Sequence, residues 1–189
     1  MRLLLHTCCA PCLLAPYASL ISKRHKITGF FYNPNIMPYR EFRRRLTAFK
    51  QYAEKEGIPA NIDENYSLEF MLKNYLERGN LPRCRVCYDI RLRETARIAS
   101  EKGFDGFSTT LTVSPFQDHE LIKQAGEQAA EKYHVKFLYQ DWRPEFRPSH
   151  EKAKKLGLYL QGYCGCIFSE EERYRPSTRK RLAKTKREQ

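Results

Sequence analysis

Seven cysteines fall in three tight groups and nowhere else: Cys8, Cys9 and Cys12 in HTCCAPC, Cys84 and Cys87 in RCRVCY, and Cys164 and Cys166 in GYCGC. A metal cluster or a dithiol redox couple needs several sulfurs within a few ångströms, and grouped thiols supply them. Cys84-Arg-Val-Cys87 has the C-x-x-C spacing that lets two thiolates meet one metal or act as a redox pair. With Cys84 at a helix start, the free N–H groups there would stabilise its thiolate. Adjacent Cys8 and Cys9 do not pair readily with each other, because the ring strains the peptide. Both can face a cluster if the chain turns sharply, which Pro11 and a strand end allow. Two thiolates from this turn, with Cys84 and Cys87, make the four of a [4Fe–4S] cluster. Zinc on four thiolates is the alternative, with Cys9-Ala-Pro-Cys12 as its knuckle. A disulfide across Cys164-Gly-Cys166 closes a very small, strained ring, and strain raises its reduction potential. Gly162 and Gly165 give the backbone freedom to close it. That pair reads equally as an electron store or as ligands to a second metal.

Other candidates surround these sulfurs. His6 precedes the first group and reads as a packed histidine before a ligand. Tyr88 and Asp89 follow Cys87 directly, and Asp89 could ligate iron or pass a proton. Asp118 in SPFQDH reads as a helix N-cap. Arg40, Arg43, Arg44 and Arg45 with Lys50 form a basic helix face, which is solvated by default. Tyr32, Asn33, Asn35 and Tyr39 could stack on, or hydrogen-bond to, an unpaired base. Neither G-x-x-x-x-G-K-[ST] nor G-x-G-x-x-G occurs, so a dedicated triphosphate or dinucleotide site has no support.

The elements that must position these residues alternate. Apolar runs at 3–6, 27–32, 60–62, 106–110 and 135–139 read as strands. Helical patterns occupy 13–24, 39–56, 68–77, 84–102, 118–133 and 149–156, with Pro16 placed in the first turn of the first helix. Strands alternating with helices predict a parallel sheet of about five strands, covered by helices on both faces. Ligands of such sheets bind beyond the carboxyl ends of the strands, where the first cysteine group falls. Residues 1–174 read as one cluster-bearing α/β domain and 175–189 as a basic tail.

Hydrophobic residues make up 41% of the 189 positions and charged ones 30%, an ordinary soluble composition. The opening MRLLLHTCC is too short in apolar residues for a signal peptide, and no stretch reaches membrane-spanning length, so a cytoplasmic location without membrane contact is expected. In that reducing compartment grouped cysteines are ligands or catalytic thiols. The net charge is +12. The tail from Arg175 carries seven basic residues and one acidic residue, which leaves the body at +6 as well. A solvated tail accounts for half of this excess; a basic body points to a polyanion, with nucleic acid foremost.

Five segments together resemble one family. LLHTCCAPC at 4–12, FYNPNIMPYREFRRRL at 31–46, RCRVCYDIRL at 83–92, TTLTVSPFQDHELI at 109–122 and GYCGCIFSEEER at 162–173 are similar to the QueH-type epoxyqueuosine reductases of tRNA modification. The resemblance spans nearly the whole chain up to the tail. It implies a Rossmann-like, nucleotide-hydrolase-like fold without ATP chemistry. It also implies a [4Fe–4S] cluster, assigned to Cys8, Cys9, Cys84 and Cys87, and a redox role for Cys164 and Cys166. An additional mononuclear iron sharing some of these sulfurs would draw on Cys12 and Asp89. The substrate would be the anticodon stem-loop of tRNA, held by Arg40, Arg43, Arg44, Tyr32 and Asn33, with electrons from an unidentified donor. Asp89, Tyr88 and His6 are the acid candidates, in that order. Three rivals compete with this reading. One is a zinc-stabilised RNA-binding module and another a thiol–disulfide oxidoreductase using Cys84 and Cys87. The third is a sulfur-inserting tRNA enzyme, which would need an ATP site.

Overall fold

Leu3, Leu4 and Leu5 are wholly buried, and period-two alternation sends Leu3 and Leu5 into one core and Leu4 into another. A strand covered on both faces needs just such an unbroken apolar run. It forms β1 (Arg2–His6), the centre of a five-stranded parallel sheet in the order β3-β2-β1-β4-β5. The computed structural model describes residues 1–175; the expected tail lies, past Arg175, outside them. The other strands are β2 (Lys26–Phe31), β3 (Ala60–Ile62), β4 (Gly106–Thr109) and β5 (Lys136–Phe137). β1 pairs with β2 on one side (Leu4 opposite Thr28) and with β4 on the other (Leu4 opposite Phe107).

One face carries α1 (Ala10–Ser22), α2 (Tyr39–Lys55) and α6 (Phe146–Lys155), whose apolar residues join Leu3, Leu5 and Phe31. The other carries α4 (Arg83–Glu101) and α5 (His119–Tyr133), packed around Leu4, Phe30 and Phe107. α3 (Leu68–Glu77) precedes α4, and α7 (Ile167–Tyr174) ends the described chain. The doubly wound α/β architecture is therefore as expected. The chain leaves β1 towards β2 and leaves β4 towards β5, so the strand order reverses between the carboxyl ends of β1 and β4, where a crevice opens.

Local expectations differ in three places. α1 begins at Ala10, not Leu13, with Cys9 extended at φ −169° as its cap and Pro11 in the first turn. Pro16 thus sits inside the helix, where its ring nitrogen cannot donate to the Cys12 carbonyl. β5 is two residues long, not five. α7 forms where no helix was expected; Cys166 caps it, its sulfur accepting from the Ser169 amide at 3.4 Å. Asp118 does cap α5, accepting from the Leu121 amide at 3.0 Å.

Gly126 shows how tightly α5 sits on the sheet. A Cβ there would lie 2.2 Å from the Phe137 ring, which packs on Phe107 with centroids 5.0 Å apart. Gly126→Val is expected to cost about 2 kcal/mol through overpacking, a fall of roughly 4–8 °C in Tm. A calorimetric scan checks it; an unchanged Tm would show that α5 can lift without penalty.

Candidate metal centre

Three helix starts carry the three cysteine groups. Cys9 caps α1, Cys84 is the second residue of α4, and Cys166 caps α7. Unpaired N–H groups at helix starts carry partial positive charge and favour thiolates over thiols. Cys84 and Cys87 are three apart on α4 and so share a face. Six of the seven cysteines (8, 12, 84, 87, 164 and 166) line one cavity of about 570 Å³ in the crevice between β1 and β4, with Cys9 buried behind it. The segments 8–12 and 84–87 therefore face one cavity.

The tightest group is not the four assigned from sequence. The sulfurs of Cys8, Cys9 and Cys12 lie within 4.8 Å of one another, a spacing that suits a shared metal or cluster. Hydrogen bonds from Cys12 and Cys9 hold the Cys8 thiol well below its ordinary pKa, while its bond to Cys8 pushes Cys12 well above. Burial raises Cys84 and takes Cys87 up to about 11. The Thr110 hydroxyl donates to Cys8 Sγ at 3.5 Å and accepts from the Cys8 amide at 3.2 Å, fastening the sulfur turn across the β1–β4 crevice. Gln161 Nε2 donates to Cys9 Sγ at 2.9 Å.

Cys164 and Cys166 stand 3.9 Å apart, sulfur to sulfur. Gly165 between them has φ +126°, which only glycine holds without strain. The Cys166 thiol and, secondarily, the Ser169 hydroxyl bring the Cys164 pKa down to about 5, while its bond to Cys164 raises Cys166. Within the pair, ionisation is favoured at Cys164 and the proton is kept on Cys166. Arg45 fixes the loop, donating to the carbonyls of Cys164 and Tyr163, both at 2.9 Å.

Arg45 is a correction. It was expected on the solvated basic face of α2, but it is buried, ion-paired to Glu41 at 2.7 Å, and sits beneath the Cys164 loop. Arg40, Arg43 and Arg44 are exposed. Asn33 is a second correction. It is buried, donating to the Thr7 carbonyl at 2.9 Å and accepting from Arg91 at 2.7 Å, so it has no free edge for a base. Tyr32 is half-buried, stacks on Phe30 and lines a separate depression beside Asp63 and Glu94. Asn35 is buried against the sulfur cavity, and Tyr39 is exposed, edge-on to Tyr66.

Asp89 turns away from the sulfurs. It lies two residues past Cys87, roughly 200° round the helix. Its carboxylate is paired with Arg78 and, at 3.0 Å, with Arg85, and it does not line the cavity. Tyr88 does line it; its hydroxyl donates to Gln117 at 2.9 Å and accepts from the Asp118 amide at 3.2 Å. His6 is buried, with Nδ1 on the Thr109 hydroxyl at 2.8 Å and Nε2 facing Arg91 Nε at 3.2 Å. Burial, then Arg91, lower its pKa to about 3, so it is neutral and a poor proton source.

Arg91 was missed from sequence. Its guanidinium is buried and contacts His6, Asn33 and, at 3.7 Å, Cys87 Sγ, with no carboxylate in salt-bridge range among the described residues. A buried cation without a carboxylate needs another anion, and thiolates on a metal provide one. The thiol donors, their burial and this cation all fit a metal–thiolate centre.

Fold and site together define a doubly wound α/β protein with a cysteine-lined cavity, able to hold a metal, at its topological switch point. The family model described as Epoxyqueuosine reductase QueH matches residues 3–172, and the chain belongs to this family. The epoxyqueuosine reductase QueH of Dehalococcoides mccartyi is 35% identical over 173 residues, which cover 92% of this chain and 94% of that one. That of Thermotoga maritima is 36% identical, covering 90% and 91%. Among solved structures, a predicted subunit of tRNA methyltransferase from Methanocaldococcus jannaschii aligns with a TM-score of 0.51 at 8% identity, over 82% of this chain and 74% of that one, a likeness of fold alone. Among the described residues no helix is long and apolar enough to cross a membrane.

Proposed function

We propose that this protein reduces the epoxide of epoxyqueuosine in tRNA to the alkene of queuosine, in the cytoplasm and without cobalamin. The observation that carries the reading is the convergence of three cysteine groups on one cavity at the sheet's switch point, in a member of this family. Cys8, Cys9, Cys84 and Cys87 would hold a [4Fe–4S] cluster, with Cys12 the nearest further donor for an additional iron. When bound, such a centre supplies single electrons and a Lewis-acidic iron.

The chain's own groups and solvent balance the rest. Oxidation of the Cys164 thiolate and Cys166 thiol to a disulfide releases two electrons and the Cys166 proton. The second proton comes from solvent reaching the cavity; Tyr88 lines it, but burial raises its pKa and its hydroxyl is held by Gln117. The epoxide then loses its oxygen as water, both C–O bonds break and an alkene forms. An external electron donor returns the disulfide to dithiol. Asp89 is left out of the chemistry: its two arginine partners hold the start of α4 in place. Arg40, Arg43 and Arg44 face solvent on α2, where they would meet the phosphates of the anticodon stem-loop.

Anaerobically purified protein is expected to be brown, with about four or more irons and matching sulfide per chain, and to convert epoxyqueuosine in tRNA, read by nucleoside mass spectrometry. A colourless zinc protein without turnover would overturn the reading.

A further inference from the structure

A lone exposed apolar side chain is ordinary, but Phe116 is placed unusually. It is 82% exposed and still lines the sulfur cavity, so it stands at the mouth. Its loop is fastened from both sides. The Phe116 amide donates to Ser114 Oγ at 3.2 Å, and the Gln117 amide to the Ser114 carbonyl at 3.3 Å. Tyr88 behind it ties down Gln117 and the Asp118 amide. The ring meets Phe146 edge-on, with centroids 5.9 Å apart at 84°, and the His150 ring lies 4.4 Å from that of Phe146. The mouth thus has an aromatic wall with one face of Phe116 turned to solvent. Arg173 also lines this cavity, as do Arg83 and its ion-pair partner Glu172, so the rim carries one cation in excess.

An exposed aromatic face beside a cation is how proteins bind a base splayed out of an RNA loop. We propose that Phe116 is a substrate-binding residue that stacks on the purine ring of the nucleotide being reduced, while the ring's carbocyclic substituent reaches past it to the sulfurs. A cavity of about 570 Å³ takes a substituent of this size but gives a folded anticodon loop no way in, so the base must leave its stack and needs a new one. The identity of the nucleotide rests on the proposed reaction; the stacking does not.

Two measurements on the metal-loaded protein test this. Phe116→Ala is expected to raise KM for epoxyqueuosine tRNA roughly 10- to 100-fold, the usual loss for one stacked base, with kcat within about twofold. Phe116→Trp is expected to restore KM. The introduced indole should be quenched by an anticodon hairpin bearing guanosine at the wobble position, and not by one abasic there. Trp142, the sole natural tryptophan, is buried and gives a constant background. An unchanged KM for Phe116→Ala, or an unquenched indole, would overturn the stacking. Quenching by the abasic hairpin would overturn the assignment to the reacting base. If the guanosine hairpin quenches but the wild-type protein never reduces epoxyqueuosine, the proposed reaction fails and the stacking stands.

Discussion

Serine at both Cys164 and Cys166 is expected to lower turnover of epoxyqueuosine tRNA by about a thousandfold or more, the scale for losing a reacting group, while leaving bound iron and its visible absorbance at the wild-type level. Two placements separate these sulfurs from the first group. They lie on a loop of their own, held by Arg45 through the carbonyls of Tyr163 and Cys164. They also hydrogen-bond to each other and to Ser169, not to Cys8, Cys9 or Cys12. The hydrogen bond between them favours the thiolate at Cys164 and keeps the proton on Cys166, which loses it only when the disulfide forms. The single variants should fail as completely as the double, since one thiol cannot close a disulfide. Loss of iron alongside activity in the double variant would make these cysteines ligands and leave the electrons to another source.

The chemistry-bearing groups were legible because they are local. A C-x-x-C on a helix start and a C-x-C with a glycine between declare their geometry within a turn of chain. The doubly wound sheet was legible for the same reason, since each strand and helix shows its own period. What escaped were residues whose role depends on a distant partner, though both buried arginines left a trace. Arg45 falls on the stripe Phe42, Arg45, Leu46, Phe49, the apolar face of α2, so the helical period assigns it to the core and not to the basic face. Arg91 likewise continues the line Cys84, Cys87, Tyr88, Arg91, Thr95 along α4. A charge on an apolar stripe is a request for a buried partner, and here the partners are a loop carbonyl pair and a set of sulfurs. Gln161 left no such trace, because it lies in an irregular segment where no period constrains side chains. Asp89 was overrated because adjacency to Cys87 in sequence is not adjacency on a helix.

The second large effect follows from the charge of Arg91. In the metal-free protein its guanidinium is buried against neutral or partly ionised thiols, a poor arrangement that desolvation penalises. A bound metal would fix the thiolates and give the cation its counter-charge, while Asn33 and His6 hold it in place at 2.7 and 3.2 Å. Arg91→Met keeps most of the bulk and removes the charge. In the metal-loaded protein it should cost about 3–5 kcal/mol, the usual consequence of deleting one partner of a buried ionic set, read as a shift in the urea midpoint. In the metal-free protein the same substitution should cost much less, because the variant also removes an ill-compensated charge. The reduction potential of the loaded site should fall, since a nearby cation favours the more negative, reduced form. An equal cost in both states would mean that Arg91 serves packing alone. It would also remove the electrostatic argument that these sulfurs are anionic when the protein works.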